Sequence, residues 1–154
     1  METLVDYFRQ WVKEDNFKWT DDMDLVDASP GHIECLFHTN KEHANFRGDL
    51  HGGVSITFAD TLMGVCAATL GKSAATIDLN ANYVKAGVAG STLRGVVNVD
   101  HDGRKIIVMN ARIYDEVGDV ITMARGTFYS LKPFDLPDLP WVIMDGKHNQ
   151  VKSN

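Results

Sequence analysis

The chain has 154 residues with a formal charge of −6; 44% of its residues are hydrophobic and 23% charged. That length fits one domain, residues 1–154, with a sizeable core, and the composition excludes wholesale disorder. The acidic balance argues against a nucleic-acid partner held through its phosphates, while leaving room for a small anionic ligand.

Taken in order, residues 2–14 set Leu4, Tyr7, Phe8, Trp11 and Val12 at helical spacing, which predicts an amphipathic N-terminal helix. Met23–Ala28 and His32–Thr39 read as short strands around the turn Ser29-Pro30-Gly31. Val54–Leu70 is apolar on every side, with Asp60 its one ionisable side chain, and predicts a central helix over about 52–71. Asp60, its threonines and its glycines argue against a membrane span. The texture then turns to β-branched residues at period two. Four strands follow, Ala75–Val84, Ser91–Asp100, Lys105–Asp115 and Asp119–Leu131, joined by glycine-bearing turns short enough for antiparallel neighbours. The tail over 133–154 carries three prolines and is expected to wrap the surface through Phe134, Trp141 and Val142. An α+β fold results, with the sheet curled round a helix that keeps no face to water.

The two cysteines, Cys35 and Cys66, read as reduced thiols, and the start lacks a basic n-region before an apolar stretch. A cytoplasmic home is the expectation; no organelle import signal is visible.

Chemistry concentrates at the central helix. Gly52 and Gly53 fall in its first turn, where free backbone N–H groups and the dipole favour an anion or a developing oxyanion. A tight loop-to-helix turn accounts for the pair equally well. Asp60 lies two turns on and is either a buried carboxylate satisfied by neighbouring hydroxyls or a reacting one. Gly64, one turn further, costs about 1 kcal/mol relative to alanine in a helix interior, so something needs its space. The histidines and cysteines form no compact metal pattern, and no nucleophile elbow, phosphate loop or dinucleotide fingerprint is present, so no metal or separate cofactor is expected.

The run Asn45-x-x-Gly48-x-Leu50-His51-Gly52-Gly53, with Asp60 seven residues later, resembles the hotdog-fold acyl-CoA thioesterases. The branch holding phenylacetyl-CoA thioesterases and thioesterase superfamily member 2 is the most similar. The resemblance runs over about 23–132. It implies hydrolysis of an acyl- or aryl-CoA, with coenzyme A as part of the substrate. In that reading the Gly52 N–H holds the oxyanion, His51 shapes the same site, Asn45 positions water or thioester, and Asp60 activates the water or attacks directly. Thr76 matches a second water ligand of some members, or is an ordinary strand threonine. The turn His101-Asp102-Gly103-Arg104-Lys105 matches a nucleotide-binding turn, with Arg94 and Lys85 weaker candidates; Gly53 and Gly64 would border the ligand. Phe58, Met63, Leu79 and Tyr83 are the side chains first considered for the acyl pocket. The resemblance further implies a homodimer with Asp60 of one chain facing Gly52 of the other, and a homotetramer built from two such dimers. The alternatives are a hydratase or dehydratase of the same fold, for which the chain lacks the G-H-F-P type of stretch, and a non-catalytic acyl-CoA sensor, which would have lost the helix acid.

Overall fold

The computed structural model describes residues 2–144 and 147–148. Helix α1 spans Leu4–Lys13 and opens with a capping box: Thr3 Oγ1 accepts from Asp6 N, and Asp6 Oδ2 accepts from Thr3 N, both at 3.1 Å. A 3-10 turn over Lys18–Asp22 leads to β1 (Met23–Ser29) and β2 (His32–His38). A second short 3-10 turn, Lys41–His43, precedes the long helix α2, Gly52–Thr69. Then come β3 (Lys72–Tyr83), β4 (Thr92–Asp102), β5 (Ile106–Tyr114) and β6 (Val120–Pro133), and a small hairpin of β7 (Ile143–Met144) and β8 (Lys147–His148).

The first six strands form one antiparallel sheet in the order β1-β2-β4-β5-β6-β3. Wrapped about α2, this is the hotdog fold. One expectation needs correction. The segment between β3 and β4 does not join neighbours, because β5 and β6 lie between them. A gap of three strand spacings is roughly 14 Å, well within reach of the residues from 84 to 91. That crossover is pinned by Val84 N to Ile121 O (2.9 Å) and Leu50 N to Gly87 O (2.9 Å).

Along β1, β2, β4, β5 and β6, alternate side chains are buried, as a sheet with one face on the core requires. The helix presses closest where the sheet carries glycine. A Cβ on Gly95 would stand 2.6 Å from Leu62 Cδ1, and one on Gly126 would run into Met63 Sδ. Phe58, Leu62, Met63 and Cys66 are therefore fully buried between helix and sheet.

The helix nevertheless has an open side, contrary to the expectation from its composition. Gly52, Gly53, Ile56, Thr57, Asp60, Thr61 and Gly64 are only half-buried and form a stripe along α2. Hydrophobicity all round reflects two apolar surroundings, of which the sheet of one chain supplies only one. Strand β3 is also open, with Ala75, Thr76, Ile77 and Asp78 exposed in succession. The tail docks on α1: Phe8 stacks on Trp141 at 5.9 Å and on Phe134 at 6.3 Å, and Leu4 N bonds Pro140 O at 2.8 Å. Val142 is exposed, and the remainder of the tail expectation lies largely outside the described residues.

Candidate active site

The loop before α2 is built to expose one backbone donor. Asn45 Oδ1 accepts from Arg47 N (2.9 Å) and Asp49 N (3.2 Å), closing a turn in which Gly48 takes φ of +89°. His51 N then bonds His43 O at 2.8 Å, and His51 Nδ1 accepts from Gly53 N at 2.9 Å as the N-cap. His51 thereby carries its ring proton on Nε2 when neutral. The space over Gly53 belongs to this ring, since a Cβ there would stand 3.0 Å from His51 Nδ1. With Gly53 spoken for, the Gly52 N–H has no acceptor among the described residues. Gly52 lines a cleft of about 430 Å³ together with Asn45, Ser55, Tyr83 and Thr122.

Asp60 occupies different surroundings. Thr76 Oγ1, from β3, donates to Asp60 Oδ1 at 2.6 Å. The neighbouring helix hydroxyls are turned back on the helix itself, Thr57 to Gly53 O (2.7 Å) and Thr61 to Thr57 O (2.8 Å). Among the described residues, then, Thr76 alone bonds the Asp60 carboxylate, and Oδ2 is left to accept from water or substrate. Asp60 is half-buried rather than enclosed, because it sits on the open stripe. It faces a larger cleft, about 840 Å³, between α2, β3, the end of β6 and the N-terminal segment. Gly64 opens onto the same cleft, and a Cβ there would meet no atom of the described residues within 4 Å beyond its own stretch of helix.

These two halves are not brought together within one chain. Gly52 and Asp60 are eight residues apart on a straight helix, roughly 12 Å of rise, and they open into separate clefts. An oxyanion donor and a water-activating acid for one carbonyl must lie within a few ångströms of it.

The turn between β4 and β5 contracts to Gly103–Lys105, since β4 runs on to Asp102. Gly103 N bonds Ile106 O at 2.9 Å, and Lys72 ties the turn down through Asp102 and Gly103 O. Arg104 is exposed with no ion-pair partner among the described residues; Lys105 Nζ stands 5.5 Å from the Tyr129 ring centroid. His101 is exposed beside them. The other two cations considered are engaged elsewhere. Arg94 pairs with Glu34 at 3.0 Å and lies 4.4 Å from the Tyr114 ring, while Lys85 bonds Asp115 and Asp119 at 2.7 Å each. Those bonds, Asp115 first, raise Lys85 above the ordinary lysine value and lower Asp115. Among the described residues no group of three or more His, Cys, Asp or Glu side chains is placed to hold a metal ion. Burial pushes both thiols, Cys35 and Cys66, up to about 12, so neither is a nucleophile at neutral pH.

Relatives in sequence and in structure identify the family. The thioesterase superfamily matches residues 47–122. The putative esterase ComA2 of Bacillus subtilis is 33% identical over 89 residues, 55% of this chain and 70% of its own. Human acyl-coenzyme A thioesterase 13 is 25% identical over 130 residues, covering 82% of this chain and 93% of that protein. Among solved structures, a hypothetical thioesterase of Streptococcus pneumoniae crystallised with coenzyme A aligns with TM-score 0.77 at 23% identity, over 82% of this chain and 98% of its own. The chain belongs to the thioesterase superfamily, whose reaction class is thioester hydrolysis.

Proposed function

We propose that the protein hydrolyses an acyl- or aryl-CoA to the free acid and coenzyme A, as a homodimer whose two sites each take Asp60 from one chain and Gly52 from the other. The observation that carries this reading is the single hydrogen bond from Thr76 that orients Asp60 while leaving Oδ2 free on an otherwise apolar helix. Asp60 Oδ2 takes a proton from water as the water oxygen attacks the thioester carbonyl. The negative charge moves to the carbonyl oxygen, where the Gly52 N–H and the positive end of α2 receive it. The tetrahedral intermediate then collapses, the C–S bond breaks, and Asp60 passes its proton to the departing sulfur, so that coenzyme A leaves as the thiol and the carboxylate is restored.

Thr76 is a positioning residue here: it fixes which carboxylate oxygen faces the water. Asn45 and His51 act one step back, by shaping the loop and capping the helix so that only the Gly52 N–H is offered. Arg104 and Lys105, with His101 and Gly103, form the turn for the nucleotide phosphates, the two cations being free of ion pairs among the described residues. The pairing of dimers into a tetramer and a cytoplasmic location stand as further expectations of the same reading.

The test is the release of thiol from medium-chain, long-chain, phenylacetyl and hydroxybenzoyl thioesters by wild type and Asp60→Asn. Asparagine keeps the size and the hydrogen bond to Thr76 but cannot take a proton. A loss on the order of 100-fold or more in kcat, with the fold intact by circular dichroism, is expected. Undiminished hydrolysis would remove Asp60 from the mechanism.

A further inference from the structure

The Asp60 cleft extends well beyond the reacting carboxylate, and much of its far wall comes from outside residues 47–122, the part matched by the family. From Asp60 it passes along Gly64, Val65 and Ala68 of α2 and ends against Trp11, Val12 and Phe134. Asp60 to Ala68 is eight residues, roughly 12 Å. Its wall is well packed: Trp11 meets Phe134 edge-on at 4.9 Å, Phe8 meets Trp11 edge-on at 5.8 Å and stacks on Phe134 at 6.3 Å, and Val12 is buried. Gly64 is the informative residue. Glycine in a helix interior costs stability, yet no side chain among the described residues fills the space it leaves. At Gly95 and Gly126, by contrast, a protein side chain occupies that space.

We infer that this cleft is the acyl subsite, and that it takes a medium-length, uncharged, extended acyl chain whose far end is stopped by Trp11 and Phe134. Phe58 and Met63, expected to line this pocket, are sealed between helix and sheet, and Tyr83 lies at the Gly52 cleft instead. The charge of the tail follows from the exposed rim, where Glu14, Asp15 and Asp135 outnumber Lys132; Lys72 is already held by Asp102. An acyl group ending in a carboxylate is repelled there. The inference rests on the reading of Asp60 as the reacting carboxylate, but its test does not need hydrolysis.

The probes are butyl, octyl and dodecyl thioethers of coenzyme A, which cannot be hydrolysed, with calorimetric affinities measured for wild type, Gly64→Leu and Trp11→Ala. In wild type, affinity should rise by up to about four-fold for each methylene buried and then level off. Gly64→Leu should cut the octyl-to-butyl ratio by at least about ten-fold, and Trp11→Ala should move the plateau to longer chains. The inference is overturned if affinity is independent of alkyl length in wild type. It is equally overturned if Gly64→Leu weakens free coenzyme A as much as the thioethers, which makes the cleft a pantetheine channel, or if it leaves the chain-length slope intact and dissociates the protein, which makes the cleft an interface. A preserved slope in a protein that releases no thiol would sink the hydrolase and leave the subsite standing.

Discussion

The two edges of the main sheet are treated differently. Both carry an irregularity in the ladder, at Val26 in β1 and at Ile77 in β3, and both irregularities expose an apolar side chain. At the β1 edge the backbone is guarded. Arg9 of α1 donates from Nε to Leu25 O and from Nη2 to Val26 O, both at 3.1 Å, and Lys13 reaches Asp21 O at 2.8 Å and Asp24 at 3.1 Å. At the β3 edge no described residue pairs beyond β6, and Ile77 and Tyr83 are more than half exposed. Unpaired strand edges invite association, and proteins blunt those they do not use. The guarded edge belongs to the chain alone, while the open one lies beside Asp60, Thr76 and the open stripe of α2. On the proposed reading, assembly and catalysis draw on the same open surface.

The comparison is broken most severely by placing a cation on the open edge. Ile77→Lys should convert the proposed dimer to monomer by sedimentation and lower kcat/KM by about 100-fold or more, because each proposed site would lose its oxyanion donor. Val26→Lys at the guarded edge should do neither, staying within about 0.5 kcal/mol of wild-type stability. Next in size is removal of the guard. Arg9→Ala leaves the Leu25 and Val26 carbonyls to water and should cost about 1 kcal/mol by denaturant unfolding, with turnover per site preserved.

The smallest effect is on pH dependence. Asp24, at the guarded edge, is held below the usual carboxylate range by its hydrogen bond to Lys13 first and by that to His38 second. A carboxyl lowered in the folded state contributes stability that is full above its unfolded value and is lost as pH falls through the folded one. Asp24→Asn should therefore flatten the fall in Tm below about pH 4, by no more than ~1 kcal/mol since the pair is exposed.

Much of this was legible in the sequence because it is local. The α2 boundaries, the alternation in β4 to β6 and the placement of Asp60 on α2 follow from glycines, periodicity and one isolated charge, whereas the capping of α2 by His51 emerged only in the structure. The neighbour of β3 was not legible, because sheet order depends on where the crossover at 84–91 lands. The open stripe on α2 escaped for a different reason: Ile56 is apolar whether it meets the chain's own sheet or a second copy. Thr76 could be picked out only through the family resemblance. Its bond to Asp60 joins β3 to α2 across sixteen residues, which no local pattern shows. The wall of Trp11 and Phe134 joins residues from the two ends of the chain, which no local pattern connects.

The most direct test of the account is complementation between two inactive variants. Asp60→Asn removes the base; Gly52→Pro removes the N–H while suiting the first turn of a helix. Wild type, each variant, and the two variants co-expressed and purified as the mixed population would be assayed for thiol release. If each site combines Asp60 of one chain with Gly52 of the other, half of the dimers are mixed and each of these carries one intact site, so the mixture should recover about a quarter of wild-type activity. If Asp60 and Gly52 serve the same site within one chain, every site in the mixture is defective and no activity returns, which would contradict the account.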